Sequence, residues 1–231
     1  MITDKKQLTK LISFFTMGDG GVYYNGKLSK KTKEPVGNCC FIMNMKSEHE
    51  DYIEHVCNTI KSITSCTISP RKLQNDGYNR KPQSTVRSSR HPYFTKLRER
   101  IYTGNYKGLD SHYLKLLDGE ALAILYMCDG SLFIEKPGRV PRLKNNSYNV
   151  TLNLKRLSEG DLLMLKKLLK DKLDLEFNLQ RQYKYRFLRL RCKDVEKFMK
   201  IINPYIFPSF RYKMIPSYRT ISPEISGDDI V

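Results

Sequence analysis

Acidic residues are scarce in this 231-residue chain: 24 Asp and Glu stand against 41 Lys and Arg, a formal net charge of +17. Such an imbalance favours a polyanionic partner, either nucleic acid or an anionic membrane surface. Long hydrophobic runs are also missing. No apolar stretch reaches membrane-spanning length, and neither a basic amphipathic helix nor a lipidation signal stands out. Nucleic acid is therefore the favoured partner and no membrane is expected. The opening MITDKKQLTK lacks the cleavage pattern of a signal peptide, which gives the expectation of an intracellular protein. The six cysteines (Cys39, Cys40, Cys57, Cys66, Cys128, Cys192) contain no C-x-x-C pair. With His49, His55, His91 and His112 they form neither a zinc-site pattern nor the spacing of an HNH nuclease. Reduced thiols, mostly buried, are expected. No added helix-turn-helix segment is evident.

What the chain does contain is its own pattern twice. Leu8–Asp19 (LTKLISFFTMGD) reads as an apolar helix ending at Asp19-Gly20-Gly21. Leu117–Asp129 (LDGEALAILYMCD) reads as a second, ending at Asp129-Gly130-Ser131, and the two aspartates lie 110 residues apart. The match continues downstream. Phe41–Lys46 (FIMNMK) and Val150–Lys155 (VTLNLK) are alternating strands carrying Asn then Lys. Asn44 follows Asp19 by 25 residues, and Asn153 follows Asp129 by 24. Ser47-Glu48 signals a helix start before Glu50–Ile63, and Ser158-Glu159 does the same before Gly160–Leu173.

Two further strands follow in each half: Thr64–Lys72 and Ser84–Arg90, joined by a turn at Asn75-Asp76-Gly77, then Leu175–Gln182 and Tyr185–Arg191. A closing helix is expected at Tyr93–Tyr102 and at Asp194–Ile202. Each half thus reads helix, two strands, helix, two strands, helix, an α+β class. The expected halves are residues 1–110 and 111–231, with a short polar tail after about residue 221.

A single Asp-Gly pair is normally a turn. Here it recurs at the corresponding point of each repeat, ending an almost wholly apolar helix. A helix C-terminus exposes unpaired carbonyls and the negative end of its dipole. Two such ends packed side by side, each with a carboxylate, call for a hard divalent cation, and phosphate chemistry favours Mg²⁺. Ser13, Gly18, Ala123 and Cys128 are small enough for such helices to cross closely.

Ile12–Gly20 (ISFFTMGDG) and Leu122–Gly130 (LAILYMCDG) resemble the two motifs of single-chain LAGLIDADG homing endonucleases. Tyr52–Cys57 (YIEHVC), the Asn153 strand and Ile202–Met214 (INPYIFPSFRYKM) resemble the branch of the mitochondrial omega-intron endonuclease. The resemblance implies a pseudo-two-fold pair of αββαββα domains, each with an antiparallel β-sheet saddle in the DNA major groove. It implies a monomer that cuts both strands of a long asymmetric duplex site by metal-dependent phosphodiester hydrolysis and leaves short 3′ overhangs. Metal ligands would be Asp19 and Asp129, helped by the carbonyls of Gly18 and Cys128, with Mg²⁺ the cofactor and Mn²⁺ able to substitute. Lys107 and Lys213, 88 and 84 residues after the two aspartates, match the supporting lysines. The chain departs from the motif at Phe14 and Ile124, where glycine is usual, and at Met17 and Met127, where a first aspartate is usual.

Alternating polar residues on such sheets can pair Arg with guanine and Asn or Gln with adenine. The candidates are Asn25, Lys27, Asn44, Lys46, Arg71, Gln83 and Arg87 in the first half. In the second they are Lys136, Asn153, Lys155, Asn178, Gln180, Gln182, Arg186, Arg189 and Arg191. The alternatives are an intron maturase that binds host intron RNA, and a non-catalytic DNA-binding regulator; both aspartates favour the nuclease. Met1 and the lack of splicing-domain residues weigh against an intein.

Overall fold

The computed structural model describes residues 4–24, 37–71, 81–104, 106–135, 147–154, 157–183 and 185–219. The chain divides into two units, Met1–Tyr113 and Leu114–Val231.

In the first unit, the Asp4 carboxylate accepts a hydrogen bond from the Lys6 amide at 2.8 Å and caps helix α1, Lys5–Met17. The helix starts three residues before the expected Leu8 and ends two before Asp19. From Leu11 to Met17 every residue is buried. Strand β1, Gly20–Tyr24, pairs antiparallel with β2, Cys39–Lys46, Gly20 lying opposite Met43. A 3-10 turn, Ser47–His49, leads into helix α2, Glu50–Lys61. Ser47 does not cap that helix: its hydroxyl bonds Ser84 Oγ at 3.0 Å, because the intervening turn places it beside the sheet.

Strands β3, Cys66–Pro70, and β4, Gln83–Ser88, complete a sheet of order β1-β2-β4-β3. Helix α3, Pro92–Ile101, follows. A small ribbon then turns at Gly104 (φ 61°) between β5, Tyr102–Thr103, and β6, Tyr106–Lys107. The short helix α4, Ser111–Leu114, lies at the boundary of the units.

The second unit repeats this order. Helix α5 (Gly119–Asp129) is capped by Asp118, whose carboxylate accepts from the Ala121 amide at 2.9 Å. After it come β7 (Gly130–Glu135), β8 (Ser147–Leu152), α6 (Glu159–Leu173), β9 (Phe177–Gln182), β10 (Tyr185–Leu190) and α7 (Val195–Ile202). Ser158 and Asp161 form a reciprocal capping box at the start of α6. The strand order is β7-β8-β10-β9. Pro208–Lys213 is a 3-10 turn, and α8 (Pro216–Arg219) ends the described chain. The Asn75–Gly77 turn and the tail after residue 221 lie outside the described residues.

Both sheets are antiparallel, with one face packed on helices and the other left for solvent or a partner. In the first, Phe41, Met43, Met45 and Val86 point to the core that Tyr52, Ile53, Val56, Phe94 and Leu97 complete. In the second, Val150, Leu152, Phe177, Leu188 and Leu190 do so, with Phe198 edge-on to both Tyr126 and Phe177. Each large side chain buried this way contributes roughly 1.5–3 kcal/mol. Four cysteines are buried and all six are free thiols. Among the described residues, no helix is long and apolar enough to cross a membrane.

Candidate metal centre and nucleic-acid interface

Each motif aspartate stands where its helix meets the first strand of its sheet. Asp19 is exposed, in the turn between Gly18 and β1; Asp129 is half-buried, the last residue of α5. The backbone carries each one directly into a sheet ladder. Because Gly20 lies opposite Met43, the position across from Asp19 is that of Asn44. Because Gly130 lies opposite Leu152, the position across from Asp129 is that of Asn153, whose amide donates to the Asp129 carbonyl at 2.8 Å. The sequence offers both asparagines as base readers; the register places each beside its aspartate. The cross-strand arithmetic of 25 and 24 residues was the signal for it.

The lysines complete each cluster. Lys107 Nζ donates to the Gly18 carbonyl at 2.7 Å and to the Gly20 carbonyl at 2.8 Å, so its ammonium brackets Asp19. Lys213 Nζ donates to the Met127 carbonyl at 2.6 Å and the Tyr126 carbonyl at 3.3 Å, at the end of α5. A cation is favoured there because the last carbonyls of a helix lack intrahelical donors and carry partial negative charge. The Gly18 carbonyl, expected to assist a metal, is thus shared with Lys107, while Lys213 takes the carbonyl one residue before Cys128.

Among the described residues, no group of three or more His, Cys, Asp or Glu gathers to hold a metal. What each unit offers is one hard carboxylate with access to water. Those donors suit Mg²⁺, which keeps several waters and takes few carboxylates alongside substrate phosphates, and they do not suit zinc.

The helix-free face of each sheet carries most of the expected DNA contacts. In the first sheet, alternation and register set Asn44 beside Thr85, Lys46 beside Gln83, and Ile42 beside Arg87 on that face. The Arg71 guanidinium donates to Gln83 Oε1 at 2.8 Å, and Thr85 Oγ1 donates to Asn44 Oδ1 at 2.7 Å. In the second sheet, Asn178, Gln180 and Gln182 share the corresponding face with Arg189 and Phe187. Arg189 is anchored by donating from Nε to Asn149 Oδ1 at 3.1 Å, and Asn149 itself is buried. Asn153 donates to Ser131 Oγ at 3.0 Å and Thr151 Oγ1 at 3.2 Å.

Two expected readers stand elsewhere. Arg186 is on the opposite face, in step with the buried Leu188 and Leu190, and pairs with Glu159 of α6 at 2.9 Å. Arg191 follows β10 and forms an ion pair with Glu176 at the sheet's end. Asn25, Lys27, Lys136 and Lys155 lie outside the described residues.

The arrangement has relatives. Residues 16–198 match the LAGLIDADG DNA endonuclease family. The RecA protein of Mycolicibacterium flavescens is 28% identical over 211 residues, 89% of this chain and 48% of that protein. An uncharacterized protein of Methanocaldococcus jannaschii is 31% identical over 128 residues, 55% of this chain and 46% of that one. The chain spans about half the length of these two relatives. Among solved structures, the homing endonuclease I-WcaI bound to its DNA recognition sequence has a TM-score of 0.68 at 22% identity, covering 93% of this chain and 88% of that one. The LAGLIDADG homing endonuclease I-SmaMI bound to cleaved DNA has a TM-score of 0.56 at 11% identity, covering 87% and 85%. These similarities show the α+β fold with its antiparallel sheets, and the match over most of the sequence shows the family: the chain belongs to the LAGLIDADG DNA endonucleases.

Proposed function

We propose that the chain is a site-specific homing endonuclease that, as a monomer, hydrolyses both strands of a long asymmetric duplex DNA target. Each unit would serve one strand, and the products would carry short 3′ overhangs. The observation that carries this reading is the recurrence of one Asp, one Asn and one Lys at the end of an apolar helix in each unit. The paired lysines also support a place near the omega-intron branch.

Asp19 and Asp129 are the proposed holders of Mg²⁺, with Mn²⁺ able to replace it. A divalent cation bound there supplies charge to activate water and to stabilise the leaving 3′ oxygen. Lys107 and Lys213 keep an ammonium at each helix end, fixed by two carbonyls, where it meets the growing negative charge of a phosphate under attack. Asn44 and Asn153 offer amide groups beside the aspartates to orient water or phosphate. The polar sheet faces hold the duplex. With a net charge of +17, affinity should fall steeply with salt, at a slope of about −0.9 per phosphate neutralised.

Cleavage selection on a randomised DNA library with Mg²⁺ identifies the target; Ca²⁺ then allows binding to be measured on it. Asp19→Asn and Asp129→Asn should each slow double-strand cutting by about a thousandfold or more, as removal of several kcal/mol of metal-centred stabilisation requires. Binding should persist. Normal cutting by either variant sinks the assignment. Failure of the unmodified chain to cut any library member, with tight binding to structured intron RNA, would favour the maturase reading.

A further inference from the structure

The two lysines reach equivalent helix ends by different routes. In the second unit, Tyr126 belongs to α5 itself and is fully buried. Its hydroxyl donates to the Lys213 backbone carbonyl at 2.6 Å, while Lys213 Nζ returns to the Tyr126 and Met127 carbonyls. The two residues therefore form a closed loop of hydrogen bonds that fixes both the backbone and the ammonium of Lys213. The ammonium also lies 5.5 Å from the centre of the Phe210 ring and 6.0 Å from that of Tyr126, within cation–π range.

The first unit has no such tyrosine in its motif helix. Thr16 stands at the corresponding position and its hydroxyl turns back to the Ile12 carbonyl of α1. Lys107 instead rides on the β5–β6 ribbon, opposite Tyr102. Arg98 of α3 ties that ribbon to β1. Its guanidinium donates to the Val22 carbonyl at 2.7 Å and to the Gly104 carbonyl at the ribbon turn at 3.2 Å. It also lies 4.6 Å from the Tyr102 ring centre, and the Val22 amide donates to the Tyr102 hydroxyl at 3.3 Å. One planar cation thus joins the ribbon that carries Lys107 to the strand that carries its acceptor, Gly20.

We propose that Tyr126 and Arg98 are positioning residues, each holding the lysine of its own unit, so that the two strand cuts depend on unrelated supports. The proposal rests on the nuclease reading above. Tyr126→Phe removes the hydroxyl and keeps the ring; Arg98→Lys keeps the charge and loses the fork and its stacking.

The test uses duplex target labelled on one strand or the other, with single-turnover rates for each strand. Each variant should slow one strand about fivefold to tenfold more than the other, the scale expected for loss of one or two well-placed hydrogen bonds. The two variants should favour opposite strands, and DNA affinity should hold within about twofold, so that the loss falls on the cleavage rate. Lys213→Ala and Lys107→Ala should show the same strand biases as Tyr126→Phe and Arg98→Lys, respectively, only larger. Equal slowing of both strands, or a loss confined to affinity, overturns the positioning role. If the lysine variants cut normally, the assignment of the lysines fails instead, and the two failures are distinguishable. Tyr126→Leu, which also removes the ring, separates folding from positioning: its melting temperature should fall well below that of Tyr126→Phe.

Discussion

The first unit ends its motif helix early and the second does not. Helix α1 stops at Met17, leaving Gly18 and Asp19 in a turn with the carboxylate exposed; α5 continues through Asp129, which is half-buried. The next helix is started differently as well, by a 3-10 turn after Ser47 and by a capping box at Ser158. Yet in both units the register sets an asparagine across from the aspartate, and a lysine bonds the carbonyls at the helix end. The difference teaches that what repeats is the placement of charges about a helix terminus, while the local means of holding them has diverged.

The strongest blow to that comparison is steric. A Cβ on Gly130 would lie 2.1 Å from the Tyr126 ring and 2.4 Å from the Tyr126 carbonyl oxygen. One on Gly20 would lie 2.6 Å from both the Phe15 carbonyl oxygen and the Phe41 ring. Gly130→Ala and Gly20→Ala should each destabilise by about 2–3 kcal/mol, as overpacking at a rigid site does. Urea midpoints check this; two unchanged midpoints would show that the helix-to-strand corner is looser than described.

Base reading comes next in size. Arg87 and Arg189 occupy equivalent rows, one step outward from the Asp–Asn row in each sheet. Replacing either by Leu should relax a guanine preference at one position of one arm, at about 1–3 kcal/mol. Selection profiles on randomised targets distinguish this from a phosphate contact, which would weaken all sequences alike and lower the salt slope by about one.

Smaller still is the capping difference. Ser158→Ala should lower stability by about 1 kcal/mol, whereas Ser47→Ala should cost about half that or less, because it caps nothing. Thermal melts of the two variants side by side would show it. The mildest change is Gly21→Ser. The second unit already carries Ser131 at the matching row, and the nearest atoms to a Cβ at position 21, 2.5 Å away, belong to the far end of the exposed Tyr23 side chain, which can swing aside. A shift within about 0.5 kcal/mol is expected, with cutting retained.

Element order was legible in the sequence because the repeat marks it twice, and strong apolar patterning marks both motif helices. The end of α5 at Asp129 was legible too, but that of α1 was not: Leu8–Asp19 reads as one run, whereas the helix stops at Met17 and Gly18 caps it. The β5–β6 ribbon escaped notice because two-residue strands are too short to show alternation. Lys107 and Lys213 came from resemblance and their place in the repeat, and the structure sets each at its own helix end. Tyr126 read as one more apolar core residue, since nothing in its local sequence reveals a hydroxyl aimed at residue 213. Arg186 was misplaced because β10 presents Tyr185 and Phe187 on the face where polar residues are expected, which blurs the period of two.

That period has a practical side. Val86 is buried and Arg87 exposed, one residue apart on the same strand. Anyone retargeting the protein can exchange every second residue of β4 or β10 and leave the packed layer untouched. A single inserted or deleted residue in either strand would trade the two layers, driving guanidinium groups into the packed core and valine onto the helix-free face. Tolerance of this scaffold to new targets should thus be wide for substitutions and close to nil for strand-length changes.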